Sequence, residues 1–172
     1  MNITLRRCTL EDAETLRDLS MITYYETFAH KNTAENMDAY LRTAYDIRKL
    51  RSELVTPHSE FYFLYADRQL AGYMKLNEVP AQSDINDPNS LEVQRIYVCG
   101  RFQGMGLGHF LLNTALQTAA DRGKQYVWLG AWENNEKALR FYHRMGFRPV
   151  GTHPFIMGNE KQTDYIMRKD LC

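Results

Sequence analysis

The chain has no surplus of charge, no cysteine framework and no long apolar run, and each lack removes a class of function. Its 172 residues carry 21 lysines and arginines against 21 aspartates and glutamates, a formal net charge of zero. A protein built to hold nucleic acid needs a basic surplus, so nucleic acid is not expected as the main partner. The basic residues between Arg42 and Arg51 read as a solvated helix face. The three cysteines, Cys8, Cys99 and Cys172, are too scattered for a disulfide set or a Cys-x-x-Cys metal pair. His30, His58, His109, His143 and His153 show no metal-ligand spacing, so no metal is expected. The opening Met-Asn-Ile-Thr-Leu-Arg-Arg lacks the apolar region of a secretory signal. No stretch approaches membrane-spanning length. These lacks together predict a cytoplasmic protein with no membrane partner. With no repeat, low-complexity tract or linker, one domain over residues 1–172 is expected.

What the chain does have is a change of period partway along. Ile3 to Arg7 reads as a strand, and Thr9-Leu-Glu-Asp12 as a helix start leading to a face of Leu16, Leu19 and Thr23. Met37, Tyr40, Leu41 and Ala44 recur at helical spacing over Thr33–Ala44, and Asp46 caps a third helix from Ile47 to Val55, before Pro57. Glu60–Ala66 and Leu70–Leu76 then read as a hairpin across Asp67-Arg68, followed by a loop from Asn77 to Ser90. A strand over Leu91–Val98, a helix closed by Gly123, an apolar strand over Tyr126–Trp132 and a helix over Asn135–Met145 follow. Phe147–Gly151 and Thr163–Lys169 complete the pattern as two last strands. An α/β domain with a mixed sheet accounts for it.

Between strand and helix stands Gln103-Gly104-Met105-Gly106-Leu107-Gly108. Glycines there let the backbone approach a ligand, and the free N–H groups and dipole of the new helix favour an anion. A dinucleotide fingerprint would need a third glycine where His109 stands, and a nucleotide-triphosphate loop would end in Lys-Ser/Thr where His109-Phe110 follow Gly108. A tight packing turn is the competing reading on glycine alone.

A second segment decides between them. Asn135-x-x-Ala138-x-x-x-Tyr142-x-x-x-Gly146-Phe147 follows the apolar strand. With Gln103-x-x-Gly106-x-Gly108, it resembles the two core motifs of the GCN5-related N-acetyltransferase family, in the family's order and in strand–helix context. The resemblance runs over nearly the full length. Thr27-Phe28, Glu35-Asn36-Met37-x-Ala39-Tyr40-Leu41 and Trp128-Leu129-Gly130-x-Trp132-Glu133 are similar to the PaiA-type polyamine acetyltransferases of bacilli.

The resemblance implies a single-domain fold with a mixed, mostly antiparallel sheet whose two central parallel strands splay, flanked by helices. It implies acetyl-CoA as co-substrate. Its pyrophosphate would lie against Gln103, Gly104, Met105, Gly106, Leu107, Gly108 and His109. Its pantetheine arm would run beside the main chain of Ile96, Tyr97 and Val98, with Asn135 on the opposite side; Asn135 also reads as a helix N-cap. Tyr142 would serve the departing thiolate, with a packed core tyrosine as the alternative, while Phe141 reads as packing. The acceptor, a small-molecule amine, arrives as an ammonium with a pKa near ~10.4 and must lose a proton before it attacks. Glu92 is the first candidate for that base. Strand parity sets Gln94 on the same face, the position at which some polyamine acetyltransferases carry the carboxylate. Glutamine cannot act as a base, so Glu133 and water stand as alternatives. Glu78, Asp84, Asp87 and Glu92, with no basic residue between Lys75 and Arg95, suggest an acidic rim suited to spermidine or spermine. Tyr24, Tyr25 and Glu26 are further candidates for the pocket. An acceptor on a protein or amino acid, or a sensor that binds acyl-CoA without turnover, fits the same donor motifs. Members of this family are often dimers, but no interface is legible in these residues.

Overall fold

The computed structural model describes residues 1–171; Cys172 lies outside the described residues. Strand β1 (Ile3–Arg7) leads through a single 3-10 turn into helix α1 (Ala13–Phe28). Helices α2 (Ala34–Ala44) and α3 (Ile47–Leu54) follow, each begun by the cap its sequence offers. Thr33 accepts from the Asn36 amide at 3.1 Å, and Asp46 accepts from the Arg48 amide at 2.9 Å. Strands β2 (Ser59–Ala66), β3 (Gln69–Asn77) and β4 (Ser90–Val98) lead to helix α4 (Leu107–Asp121). Strand β5 (Tyr126–Trp132), helix α5 (Glu136–Arg144) and strands β6 (Arg148–Met157) and β7 (Glu160–Asp170) complete the chain.

The strands form one seven-stranded sheet in the order β1-β2-β3-β4-β5-β7-β6, antiparallel except for the parallel pair β4–β5. Helices cover both faces. On one, Leu111, Leu112, Ala115 and Ala119 of α4 pack with Leu64, Leu76, Leu91 and Val127. On the other, Leu16, Leu19, Met37 and Leu50 of α1–α3 pack with Phe61, Phe63 and Tyr73. Period-two alternation on the strands and period-three-to-four spacing on the helices make this two-sided burial possible.

Strand β6 extends to Met157, six residues past the Gly151 end that the sequence predicts. Pro149 and Pro154 hid it. Both are tolerated because β6 is an edge strand, where a missing N–H breaks no ladder on the open side, and the register shifts between Pro149 and Gly151. No helix among the described residues is long and apolar enough to cross a membrane.

Candidate functional site

The parallel pair comes apart halfway. Strands β4 and β5 pair only at Ser90–Tyr126, Leu91–Val127 and Glu92–Trp128, although β4 runs on to Val98 and β5 to Trp132. A bulge starts the divergence: Lys75 faces Arg95 and Leu76 faces Val93, leaving Gln94 without a partner on β3. Beyond it opens a cleft of about 860 Å³ between the two strands, α4 and α5.

At one end the glycine loop begins α4. Gly104 and Gly106 take φ of 78° and 80°, and no atom lies within 4 Å of where a Cβ would stand on either. A left-handed backbone with open space before it, at the start of a fifteen-residue helix, is a cradle for an anion. Gln103 ties this loop to its surroundings, Nε2 donating to the Val98 carbonyl at 3.1 Å and Oε1 accepting from Lys137 at 3.2 Å. Gln103, Gly104, Gly106, Leu107, Gly108 and His109 all line the cleft, as do Ile96, Tyr97 and Val98 on β4. Met105 does not line it, and is 51% exposed.

The far wall is α5. Asn135 caps it, Oδ1 accepting from the Ala138 amide at 3.2 Å, and lines the cleft with Phe141 and Tyr142. Burial raises the Tyr142 phenol well above its ordinary range, so it stays protonated at neutral pH. Glu26 of α1 also lines the cleft and accepts from the Gly100 amide at 3.1 Å, anchoring α1 to the end of β4. Tyr24 is buried in an aromatic cluster, while Tyr25 is exposed.

The acidic candidates are engaged elsewhere. Glu92 is 1% exposed and is not part of the cleft wall. It accepts from the Ser83 amide at 2.8 Å, from the Ser83 hydroxyl and from Asn77 Nδ2 at 2.9 Å. Asn77 also donates to Gln94 at 2.7 Å, so Gln94, which does line the cleft, lies on the same side as Glu92. Glu133 is likewise absent from the wall. Glu78 pairs with Arg122 and Lys124, Asp84 with His153, and Asp87 accepts from Tyr126. The loop charges are therefore partnered rather than presented as a free acidic rim. Glu92→Ala would remove the acceptor that Ser83 and the buried Asn77 share, leaving Asn77 only its bond to Gln94, at an expected cost of about 1–3 kcal/mol in denaturant unfolding. Glu92→Gln keeps an oxygen toward both and is expected to retain most of that stability. An unchanged rate in folded Glu92→Gln would leave the carboxylate a structural role only.

Several cleft groups were not foreseen. Arg95 lines the cleft and, with Lys75, shares the Glu53 carboxylate at 2.9 and 2.8 Å. Arg95 Nη1 and Trp132 Nε1 are buried donors with no acceptor among the described residues, and both residues lie on the wall. The available signal was a lysine and an arginine inside strands that otherwise read as apolar. No group of three or more histidine, cysteine, aspartate or glutamate side chains able to hold a metal occurs among the described residues.

Comparison with known proteins agrees with this geometry. A model of the Acetyltransferase (GNAT) family matches residues 14–147. An uncharacterized N-acetyltransferase of Lactobacillus delbrueckii subsp. lactis is 40% identical over 153 residues, 89% of this chain and 88% of that protein. A spermidine N(1)-acetyltransferase of Thermoplasma acidophilum is 25% identical over 173 residues, 98% of each chain. Among solved structures, the PaiA N-acetyltransferase of Thermoplasma acidophilum in complex with coenzyme A shares the fold, with a TM-score of 0.80 at 24% identity over 99% of both chains.

Proposed function

The chain belongs to the Acetyltransferase (GNAT) family, and from that premise we propose that it transfers acetyl from acetyl-CoA to a primary amine of a small polycation of the spermidine and spermine class. The observation that carries the reading is one continuous cleft between splayed parallel strands, with an anion cradle at one end and a protonated phenol on its wall. The loop from Gln103 to His109 faces the pyrophosphate of the donor with main-chain N–H groups. The unpaired edges of Ile96, Tyr97 and Val98 lie beside the pantetheine arm, whose amides complete the ladder that β5 leaves open. Asn135 uses Oδ1 for its cap and has its amide nitrogen left to donate from the opposite side. Tyr142 hydrogen-bonds the sulfur as it departs.

The choice of amine rests on the whole-length likeness to a spermidine acetyltransferase. A second reading has its own observation. The unpartnered donors on Arg95 and Trp132 suit an acceptor that carries a carboxylate beside its amine, so amino acids belong in the same screen.

Heating with acetyl-CoA at a hundredfold its dissociation constant is expected to raise stability by about 2.7 kcal/mol. No shift would remove the donor assignment. Release of free thiol with a panel of spermidine, spermine, amino acids and peptides then reads the acceptor. Turnover of spermidine is the expected result. Turnover of amino acids alone would favour the second reading, and acetyl-CoA binding without thiol release would make the protein a sensor.

A further inference from the structure

One carboxylate close to the cleft has no hydrogen-bond or ion-pair partner among the described residues. Asp164 lies on β7, opposite Trp132 of β5 and His153 of β6. Burial pushes its pKa up to about 6, against an opposing pull from His153, and neither a hydrogen bond nor any lysine or arginine contributes to its titration. Its charged and titratable neighbours are few. His153 on β6 is held by Asp84 of the β3–β4 loop at 2.7 Å. Tyr24 on α1 and Tyr40 on α2 have phenols raised chiefly by burial, with the Asp164 charge adding to it.

The Asp164 carboxylate is not itself part of the cleft wall, but only a missing side chain stands between the two. Gly130 lines the cleft two residues before Trp132, on the same face of β5, and Asp164 Oδ2 lies 3.3 Å from where its Cβ would stand. Aromatic rings border that opening. Phe28 and Trp132, both on the wall, have ring centres 5.4 Å apart, and Tyr24 meets Phe28 at 4.3 Å. A carboxylate beside a cluster of aromatic rings is the chemistry that takes an alkyl ammonium: the charge meets the anion and the methylenes meet the rings.

We propose that Asp164 receives the ammonium of the acceptor through the gap over Gly130 and takes the proton that must leave nitrogen before attack. The inference rests on the acetyl-transfer reading above and names the group at its acceptor end. The ammonium, R–NH3⁺, gives one proton to the carboxylate and becomes R–NH2. Its lone pair forms the C–N bond at the thioester carbonyl, and the C–S bond breaks with the electron pair leaving on sulfur. The thiolate takes up the second proton lost by nitrogen, and the Asp164 carboxyl returns its own to solvent. One proton is released per amide formed. A carboxylate raised by burial is a stronger base for this step than an exposed aspartate near ~3.9.

The test is equilibrium binding of spermidine and of butylamine to the protein saturated with coenzyme A, measured by calorimetry for wild type, Asp164→Asn and Gly130→Ala. Asp164→Asn removes the charge and keeps the shape, and is expected to weaken amine binding at least tenfold while coenzyme A affinity is unchanged. Gly130→Ala sets a methyl against Oδ2 with the charge intact, and is expected to weaken it too. Wild-type affinity is expected to fall as pH drops through about 6, and that of Asp164→Asn to stay flat. The fold itself is expected to gain from the asparagine: a carboxylate whose pKa is raised on folding destabilises at every pH above its ordinary range, so the variant melts higher at pH 7.5 and no higher near pH 4. Equal amine affinity in wild type and Asp164→Asn, or no amine binding by wild type, would overturn the proposal. Thiol release by wild type with an amine would, in that case, leave the acetyl-transfer reading standing.

Discussion

Glu53→Gln is expected to lower the unfolding free energy at pH 7 by about 3–5 kcal/mol, the loss typical when one partner of a buried ion set is removed. Lys75 and Arg95 both end on this carboxylate, at 2.8 and 2.9 Å, and the side chains are only 7% and 12% exposed. Glutamine keeps the shape and loses the charge, leaving two largely buried cations without their counter-ion. The rings beneath them, Phe61 under Lys75 at 5.2 Å and Tyr45 by Arg95 at 5.5 Å, soften that cost and cannot cancel it. Denaturant unfolding reads the loss directly. A double variant, Glu53→Gln with Lys75→Met, is expected to recover part of it, because only one unpaired cation remains. The pH dependence has a defined sign. Burial raises the Glu53 carboxyl, but Arg95 and Lys75 outweigh that and hold it below its ordinary value. Its contribution is therefore complete above the usual carboxylate range and is lost as pH falls through the lowered pKa. The gap between wild type and Glu53→Gln should close in acid. Equal stability at pH 7 would mean that both cations find other partners.

Tyr142→Phe is expected to reduce kcat by about a hundredfold or more, within the ~10²–10⁴ range of a positioned proton donor. Folding and acetyl-CoA binding are expected to be unchanged, since no hydrogen bond from the Tyr142 hydroxyl to another described residue holds the core together; what the ring supplies is its packing on Phe141 and Phe147. The raised phenol has a further consequence. Complete transfer of its proton to a thiolate of ordinary basicity, near ~8.5, is uphill. The contribution of Tyr142 is thus a hydrogen bond that strengthens as charge builds on sulfur. It also follows that Tyr142 puts no limb on the pH profile below pH 10. Any acid limb near pH 6 belongs to another group, for which Asp164 is the proposed one. Single-turnover kinetics with saturating acetyl-CoA separate these effects. A Tyr142→Phe rate within threefold of wild type would reduce the tyrosine to packing.

The left-handed glycines before α4 and the cap of α5 were legible because their demands are local. Gly104 and Gly106 stand at left-handed positions before α4, and Asn135 caps α5 at a fixed distance from Tyr142. Each is a requirement of a few consecutive residues. The surroundings of the acidic residues were not legible for the opposite reason. Glu78, Asp84, Asp87 and Glu92 look alike in sequence, yet Arg122, Lys124, His153 and Tyr126 claim the first three from segments far along the chain. Nothing within reach of the loop's own residues shows that pairing.

By itself the sequence determined the order of helices and strands, since periodicity, capping and glycine spacing act over a turn or two of backbone, and its two motifs carried the resemblance to the family to which the chain belongs. The resemblance implied that the strands before α4 and before α5 splay, and their pairing does end early. Only the tertiary structure decided where the charges meet. The bulge at Gln94 and the early end of β4–β5 pairing open the cleft. The β5–β7 register sets Asp164 beside Trp132, and its carboxylate reaches to within 3.3 Å of where a Cβ on Gly130 would stand. The packing of α3 on β2–β4 brings Glu53 to Lys75 and Arg95. A charge becomes a functional group through what surrounds it, and in a sheet assembled from both halves of the chain that surrounding is set by register and packing.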